Sequence, residues 1–225
     1  MTFSIVGRCS RTGMVGIAIS TSSIAVTGRC AWVRPKVGAV ASQNVTDPVL
    51  AFGILDLMAK GSPPDRALAE VISGTPHAAY RQVSAIDVNG RTAHHSGSKV
   101  LGRGASKIGV DCVAAGNLLA NKDIPAAMVS TFQAHGELHL GERLLRALEE
   151  GLVAGGEAGP IHSAGLIVGA DQPWPTVNLR VDWADQGPIM QLRNLWLAYE
   201  PQMEDYVTRA VNPDSAPSFK VPGDP

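Results

Sequence analysis

Polar and apolar residues alternate from Thr2 to Arg8 and again from Met14 to Thr21, with Ser10-Arg11-Thr12-Gly13 between them. A period of two on either side of a turn predicts a β-hairpin. A further strand is expected over Val37–Gln43. The pattern then changes: Asp47-Pro48 supplies an N-cap and a proline at the first helical position, Phe52, Leu55 and Met58 recur on one face, and Gly61 ends the segment. Ser62-Pro63 repeats the start signal, with Asp65 in the first turn, Leu68, Val71 and Ile72 on one face, and Gly74 beyond the end. Two helices therefore run back to back.

Gln82–Val88 and Arg91–Ser96 flank Asn89-Gly90, a pair suited to a type I′ hairpin turn. A strand over Asp111–Ala115 ends at Gly116-Asn117. A second helix pair follows, Pro125–Gln133 and Leu138–Glu150, the latter with Leu140, Leu144, Leu145 and Leu148 on one face and Gly151 as its stop. Ser163–Gly169 and Val177–Trp183 read as a last strand pair around Gln172-Pro173-Trp174-Pro175, and Pro188–Tyr199 as a closing helix.

Strands arrive in hairpins and helices in pairs, whereas parallel crossovers need single helices between single strands. The expected class is α+β: a four-layer αββα sandwich in which two antiparallel sheets stack face to face, flanked by paired helices. Nothing resembling a linker divides the body, so residues 1–211 are expected to form one domain and 212–225, rich in Pro, Ser, Asp and Gly, a loosely ordered tail.

A chain of 225 residues with 45% apolar content can bury a substantial core. Lys and Arg number 19 against 20 Asp and Glu, without a block of like charge, and aromatic residues make up 5%. The basic footprint and stacking platforms of a nucleic-acid binder are therefore missing, and a small neutral or zwitterionic partner fits better. No apolar run reaches the roughly 20 residues of a spanning helix, since Ile108–Leu119 is broken by Asp111, Gly116 and Asn117. Arg8 and Arg11 follow, rather than precede, the first apolar stretch, which is too short for a signal-peptide core, and a cytoplasmic location is expected. Cys9, Cys30 and Cys112 form no C-x-x-C pair and read as buried thiols.

Thr2 offers a chemical role. Removal of Met1 would free its α-amino group beside its own hydroxyl, and an amine with an ordinary pKa of about 7.7–8.0 can act as general base for that nucleophile. Threonine is equally at home as the first residue of a strand. Asn117 after Gly116, and Gln43-Asn44, are amides at strand ends, placed to donate to an oxyanion or carboxamide, or to satisfy a turn or the core. His94-His95 closes a hairpin with its imidazoles on opposite faces, so that one can reach a site. Lys36 lies 34 residues after Thr2, and Asp182 stands two residues from Arg180 on one strand face, in position for an ion pair. Gly102-Arg103-Gly104 with Lys107 and Gly109 matches no phosphate loop and reads as an ordinary loop. His135, His139 and Glu142 lack the H-E-x-x-H spacing; no metal and no organic cofactor is expected.

These strings together, Thr2-Phe3-Ser4-Ile5-Val6, Gly13 to Ser20, Gly38-Ala39-Val40-Ala41-Ser42-Gln43, Gly53-Ile54-Leu55-Asp56-Leu57 with Gly61, Arg81-Gln82, His95-Ser96-Gly97, Gly116-Asn117 and Val177 to Asp182, resemble the DUF1028 family over about residues 2–200. The resemblance implies a fold like that of the N-terminal-nucleophile hydrolases, whose better-known members cleave amide bonds. It departs from the family pattern at Ala115-Gly116-Asn117, where Gln-Gly-Asn is expected, and at His162-Ser163, where Gln-Ser is expected. Lys36 is near the spacing of the lysine used by proteasome-like relatives of the wider fold, a residue on which DUF1028 members do not rely. The implied activity is hydrolysis of a small amide or peptide-like substrate, with Thr2 attacking, its own amine moving the proton, and Asn117 with Gln43 or Asn44 stabilising the oxyanion. His95, Lys36 and Asp182 would contact the substrate. The alternative is a non-catalytic protein on the same fold that binds a small molecule or assembles, with a homodimer formed through exposed surfaces.

Overall fold

A computed structural model of the chain describes residues 2–219. Its strands are β1 (Thr2–Arg8), β2 (Val15–Thr21), β3 (Ala31–Arg34), β4 (Gly38–Asn44), β5 (Arg81–Asp87), β6 (Thr92–Ser96), β7 (Ala105–Gly109), β8 (Cys112–Asn117), β9 (Ser163–Gly169) and β10 (Pro175–Val181). Its helices are α1 (Val26–Cys30), α2 (Pro48–Ala59), α3 (Pro64–Ser73), α4 (Ile124–Ala134), α5 (Leu140–Val153), α6 (Pro188–Tyr199) and α7 (Met203–Val211). Six strands form one sheet in the order β10-β9-β2-β1-β8-β7, and four form the other, β3-β4-β5-β6, with every neighbouring pair antiparallel.

Strand geometry sends successive side chains to opposite faces, and here each face meets a different layer. Phe3, Ile5, Ala114 and Leu166 turn outward onto Phe132, Leu144, Leu148 and Trp196 of α4, α5 and α6. Val40, Val83 and Ala85 of the smaller sheet turn onto Leu50, Ile54 and Leu68 of α2 and α3. Val6, Ile17, Ile19, Ala39, Ala41, Ile86 and Val113 fill the space between the sheets. The molecule is thus the four-layer αββα sandwich expected from paired helices and hairpins. Because both faces of the large sheet are covered, β2 and β9 are buried along their whole length.

Several elements differ locally from the sequence expectation. α1 and β3 occupy the stretch between the expected strands Met14–Thr21 and Val37–Gln43, to which no element is assigned above; Val26 and Cys30 of α1 enter the layer between the sheets. Thr27 stands so close over β9 that a Cβ on Gly165 would fall 1.8 Å from its Oγ1, which makes glycine necessary there. Phe52 faces outward from α2 and lies against Trp32, with ring centroids 4.5 Å apart, while Leu50 and Ile54 take the core. α3 begins one residue late, capped by the backbone of Pro63, and Ser62 makes no cap. The Asn89-Gly90 turn is not type I′: among the two, only Gly90 has positive φ, its N–H donates to Asp87 O at 3.1 Å, and the Asp87 carboxylate accepts from the Asn89 and Arg91 N–H groups. Gly151 does not stop α5, which runs on to Val153; a Cβ there would press on Met128 and Phe3. The glycine-rich 102–109 stretch ends as edge strand β7. Of the expected tail, Phe219 lies over the Arg209 guanidinium at 3.6 Å, and residues 220–225 lie outside the described residues.

Among the described residues no helix is long and apolar enough to cross a membrane.

Candidate functional site

The apolar layer between the sheets becomes polar at one end. Alternation carries Thr2 and Ser4 of β1, Thr21 of β2, Asn117 of β8, Gln43 of β4 and Gln82 of β5 to the same side as Val6, Ile19, Val113, Ala41 and Ile86. Thr2 is the register partner of Thr21 on one flank and of Asn117 on the other. Gly116 permits the closeness: a Cβ on it would lie 3.0 Å from Thr2 O and 2.6 Å from Leu119 Cδ2.

Four side chains and two carbonyls then settle one another's orientation. The Ala115 and Gly116 carbonyls can only accept, so Gln43 Nε2 (3.3 Å) and Gln82 Nε2 (3.0 Å) must be the atoms that reach them. Gln43 Nε2 also donates to Gln82 Oε1 at 2.9 Å, and Gln43 Oε1 accepts from Ser4 Oγ at 2.6 Å. Gln82 Oε1 therefore faces Asn117, which presents Nδ2 to it at 3.1 Å. Asn117 Oδ1 is left buried with no hydrogen-bond partner among the described residues. On the other flank, Thr2 Oγ1 lies 3.2 Å from Thr21 Oγ1, which in turn lies 3.4 Å from Ser23 Oγ. Ser163 fixes that loop: its Oγ donates to Ser23 O at 2.6 Å and accepts the Val26 N–H at 3.2 Å.

A carboxylate closes the end of this array. Gly155 (φ 127°) and Gly156 (φ 59°) reverse the chain after α5, with backbone angles that side chains resist, and bring Glu157 into a bridge with Leu119. Ala120 N–H donates to Gly156 O (3.0 Å) and Ala158 N–H to Leu118 O (2.9 Å). Glu157 Oε1 accepts the Ser22 N–H at 3.2 Å, and Oε2, also buried, has no hydrogen-bond partner among the described residues. Burial pushes this carboxyl up to about 7, outweighing the positive charge of the chain's amino terminus and the Ser22 bonds, which pull it down.

Of the residues singled out in the sequence, Thr2, Asn117 and Gln43 meet here. Gln43 cannot serve an oxyanion, since both of its N–H groups are already used by Gln82 and Ala115. Asn44 is also committed to structure: Nδ2 donates to Tyr80 O at 2.6 Å and Oδ1 accepts the Leu101 N–H at 3.1 Å. His95 is on the wrong face. Its partner Val83 packs on α2 and α3, and His95 Nε2 lies 3.2 Å from Ala78 O beside a cavity of about 270 Å³ lined by Asp65 and Leu68. His94 is the imidazole turned inward, its Nδ1 3.0 Å from Ser84 Oγ. Lys36 is exposed in the β3–β4 turn, seven residues from Gln43 and so about 20 Å away along the strand. Asp182 pairs with Arg180 at 2.8 Å beyond β10, three strands from β1, about 14 Å across the sheet. His139 caps α5 through Nδ1, Glu142 pairs with Arg193 and Arg146, and among the described residues no group of His, Cys, Asp and Glu is arranged to hold a metal. Met1 lies outside the described residues.

Sequence reasoning missed Gln82, at the centre of the network, and Glu157. The first carried a signal, since strand alternation from Ala85 and Val83 places Gln82 on the opposite, inter-sheet face. The second carried only the Gly155-Gly156 pair beside it.

No curated protein matches the chain. The crystal structure of protein SPO2555 from Silicibacter pomeroyi, itself of the DUF1028 family, is similar at 30% identity and a TM-score of 0.84, covering 91% of this chain and 89% of that one. Anbu (ancestral beta-subunit) from Yersinia bercovieri aligns over 97% of this chain and all of its own at 10% identity and a TM-score of 0.39, too low to bear on the fold or the site. The profile of DUF1028, a family of unknown function, matches residues 2–192, and the chain belongs to that family.

Proposed function

We propose that the protein hydrolyses a small amide or peptide-like bond with Thr2 as nucleophile once Met1 has been removed. The reading is carried by one relationship: Thr2 opens the central strand with its hydroxyl between the sheets, 3.2 Å from the Thr21 hydroxyl and opposite the Asn117 amide. Thr2 Oγ1 attacks the carbonyl carbon, and its proton passes to the α-amine. The second hydrogen of Asn117 Nδ2, the first being given to Gln82, stabilises the oxyanion. The C–N bond then breaks as the amine returns the proton to the leaving nitrogen; water, deprotonated by the same amine, attacks the ester carbonyl, and the acyl C–O bond breaks as the amine returns that proton to Thr2 Oγ1, releasing the acid. The site serves a small substrate because its walls are two closely stacked sheets.

The test joins intact mass with turnover. Processed protein should release amine from members of an amide and ureide library, and Thr2→Ala should abolish release while keeping its melting temperature. Turnover by protein that retains Met1 throughout would sink the mechanism. Ligand-induced stabilisation without product would favour a binding protein on the same fold.

A further inference from the structure

We propose that Glu157 Oε2 and Asn117 Oδ1 are the two acceptors of a primary-ammonium site at the head of β1. Both atoms are buried, both belong to side chains less than one-tenth exposed, and neither has a hydrogen-bond partner among the described residues. A buried acceptor left unpaired costs about 1–3 kcal/mol, so each of the two calls for a donor.

The ladder locates them. β8 continues past Asn117, the partner of Thr2, to Leu119, whose N–H goes to Arg103 on its far flank and whose near flank bridges Glu157. β2 continues past Thr21 to Ser22, whose N–H reaches Glu157 Oε1. Glu157 therefore stands between the extensions of β2 and β8, in line with β1 two positions beyond Thr2. Asn117 stands beside Thr2 itself, and its amide cannot turn over, because Gln82 Oε1 requires a donor from it.

The chemistry selects the guest. A single carboxylate and one amide oxygen fall well short of the six to eight oxygens that a calcium ion takes. A hydroxyl donates one hydrogen and leaves the carboxylate uncompensated. An ammonium group brings three N–H donors and a positive charge, and the charge of the chain's amino terminus already acts on this carboxylate. Two sources fit: the α-ammonium of Thr2 after loss of Met1, in which case the site rests on the nucleophile reading, or the amino group of a small ligand, in which case it does not. In the first case Glu157 is a positioning residue, acting through the amine.

Competitive acetylation of the N-terminal amine as a function of pH, read by mass spectrometry on processed protein, tests the first source. Wild type should show an amine pKa raised by about one unit above its ordinary range, and Glu157→Gln should return it to that range. Asn117→Asp, which adds a second carboxylate, should raise it further and serves if Glu157→Gln does not fold. For the second source, protein retaining Met1 is melted in methylammonium chloride and in tetramethylammonium chloride at equal ionic strength. Stabilisation by methylammonium alone, lost in Glu157→Gln, supports a ligand amine. Equal amine pKa values in wild type and both variants, together with equal melting in the two salts, overturn the proposal. The titration needs no turnover: a raised pKa without product sinks only the hydrolase reading, and product with an unshifted pKa sinks only this one.

Discussion

Thr2 and Thr21 face each other across the first hairpin with their hydroxyl oxygens 3.2 Å apart, and both side chains are almost fully buried. The contact follows from register. β1 and β2 pair without a slip from Arg8–Val15 to Thr2–Thr21, so the short turn at residues 9–14 determines which residue stands beside Thr2. A threonine in that place can hydrogen-bond the Thr2 hydroxyl and pass orientation on to Ser23, whose Oγ is 2.8 Å from Arg29 Nη2.

Thr21→Val tests whether this pair works or only packs. The substitution keeps the branched shape and removes one hydroxyl, which should cost about 1 kcal/mol of stability. If Thr21 orients Thr2, turnover should fall about tenfold or more, the rate equivalent of one hydrogen bond felt in the transition state. Unchanged kcat in a folded Thr21→Val protein would show the hydroxyl to be structural.

Gln82→Leu should be far more damaging. Gln82 accepts from Gln43 and Asn117 and donates to Gly116 O and Ser96 Oγ, so its loss strands donors on two strands of two sheets. A cost of about 3 kcal/mol is expected in urea unfolding, with little change in m-value because the folded surface is the same. A cost under about 1 kcal/mol would mean that the network repairs itself.

Much of this was legible beforehand, and the reason differs from residue to residue. Pro188–Tyr199 agrees to the residue because a proline opens the helix at its first position, and Ser163–Gly169 because a polar residue and a glycine bound its apolar run. α1 and β3 escaped because five and four residues hold too little period to see. Thr2, Asn117 and Gln43 were found as polar residues at strand ends. Lys36 and Asp182 lie away from Thr2 because strand order across a sheet is not written in spacing, and His95 faces the helices because which of two adjacent imidazoles turns inward depends on the pairing of Ser84 with His94. Glu157 sits in irregular chain, placed by two glycines and a single bridge, and its meaning exists only beside Leu119 and Ser22.

Glu157 and His94 should impose opposite pH dependences on stability, most directly seen in protein that retains Met1. Burial raises Glu157 from its ordinary 4.5 to about 7, so between those values the native state keeps a proton that the unfolded chain has lost, and stability falls as pH rises. Burial, reinforced by His95, lowers His94 from 6.5 to about 4, so between those values the unfolded chain holds the extra proton and stability rises with pH. Each slope approaches about 1.4 kcal/mol per pH unit, and from pH 4.5 to 6.5 they offset each other. Glu157→Gln should therefore expose a rising curve over that window relative to wild type, and His94→Gln a falling one that continues to about pH 7. Urea unfolding at half-unit pH steps distinguishes the three proteins; parallel curves for wild type and Glu157→Gln would mean that the carboxyl is already held by a cation in the folded protein.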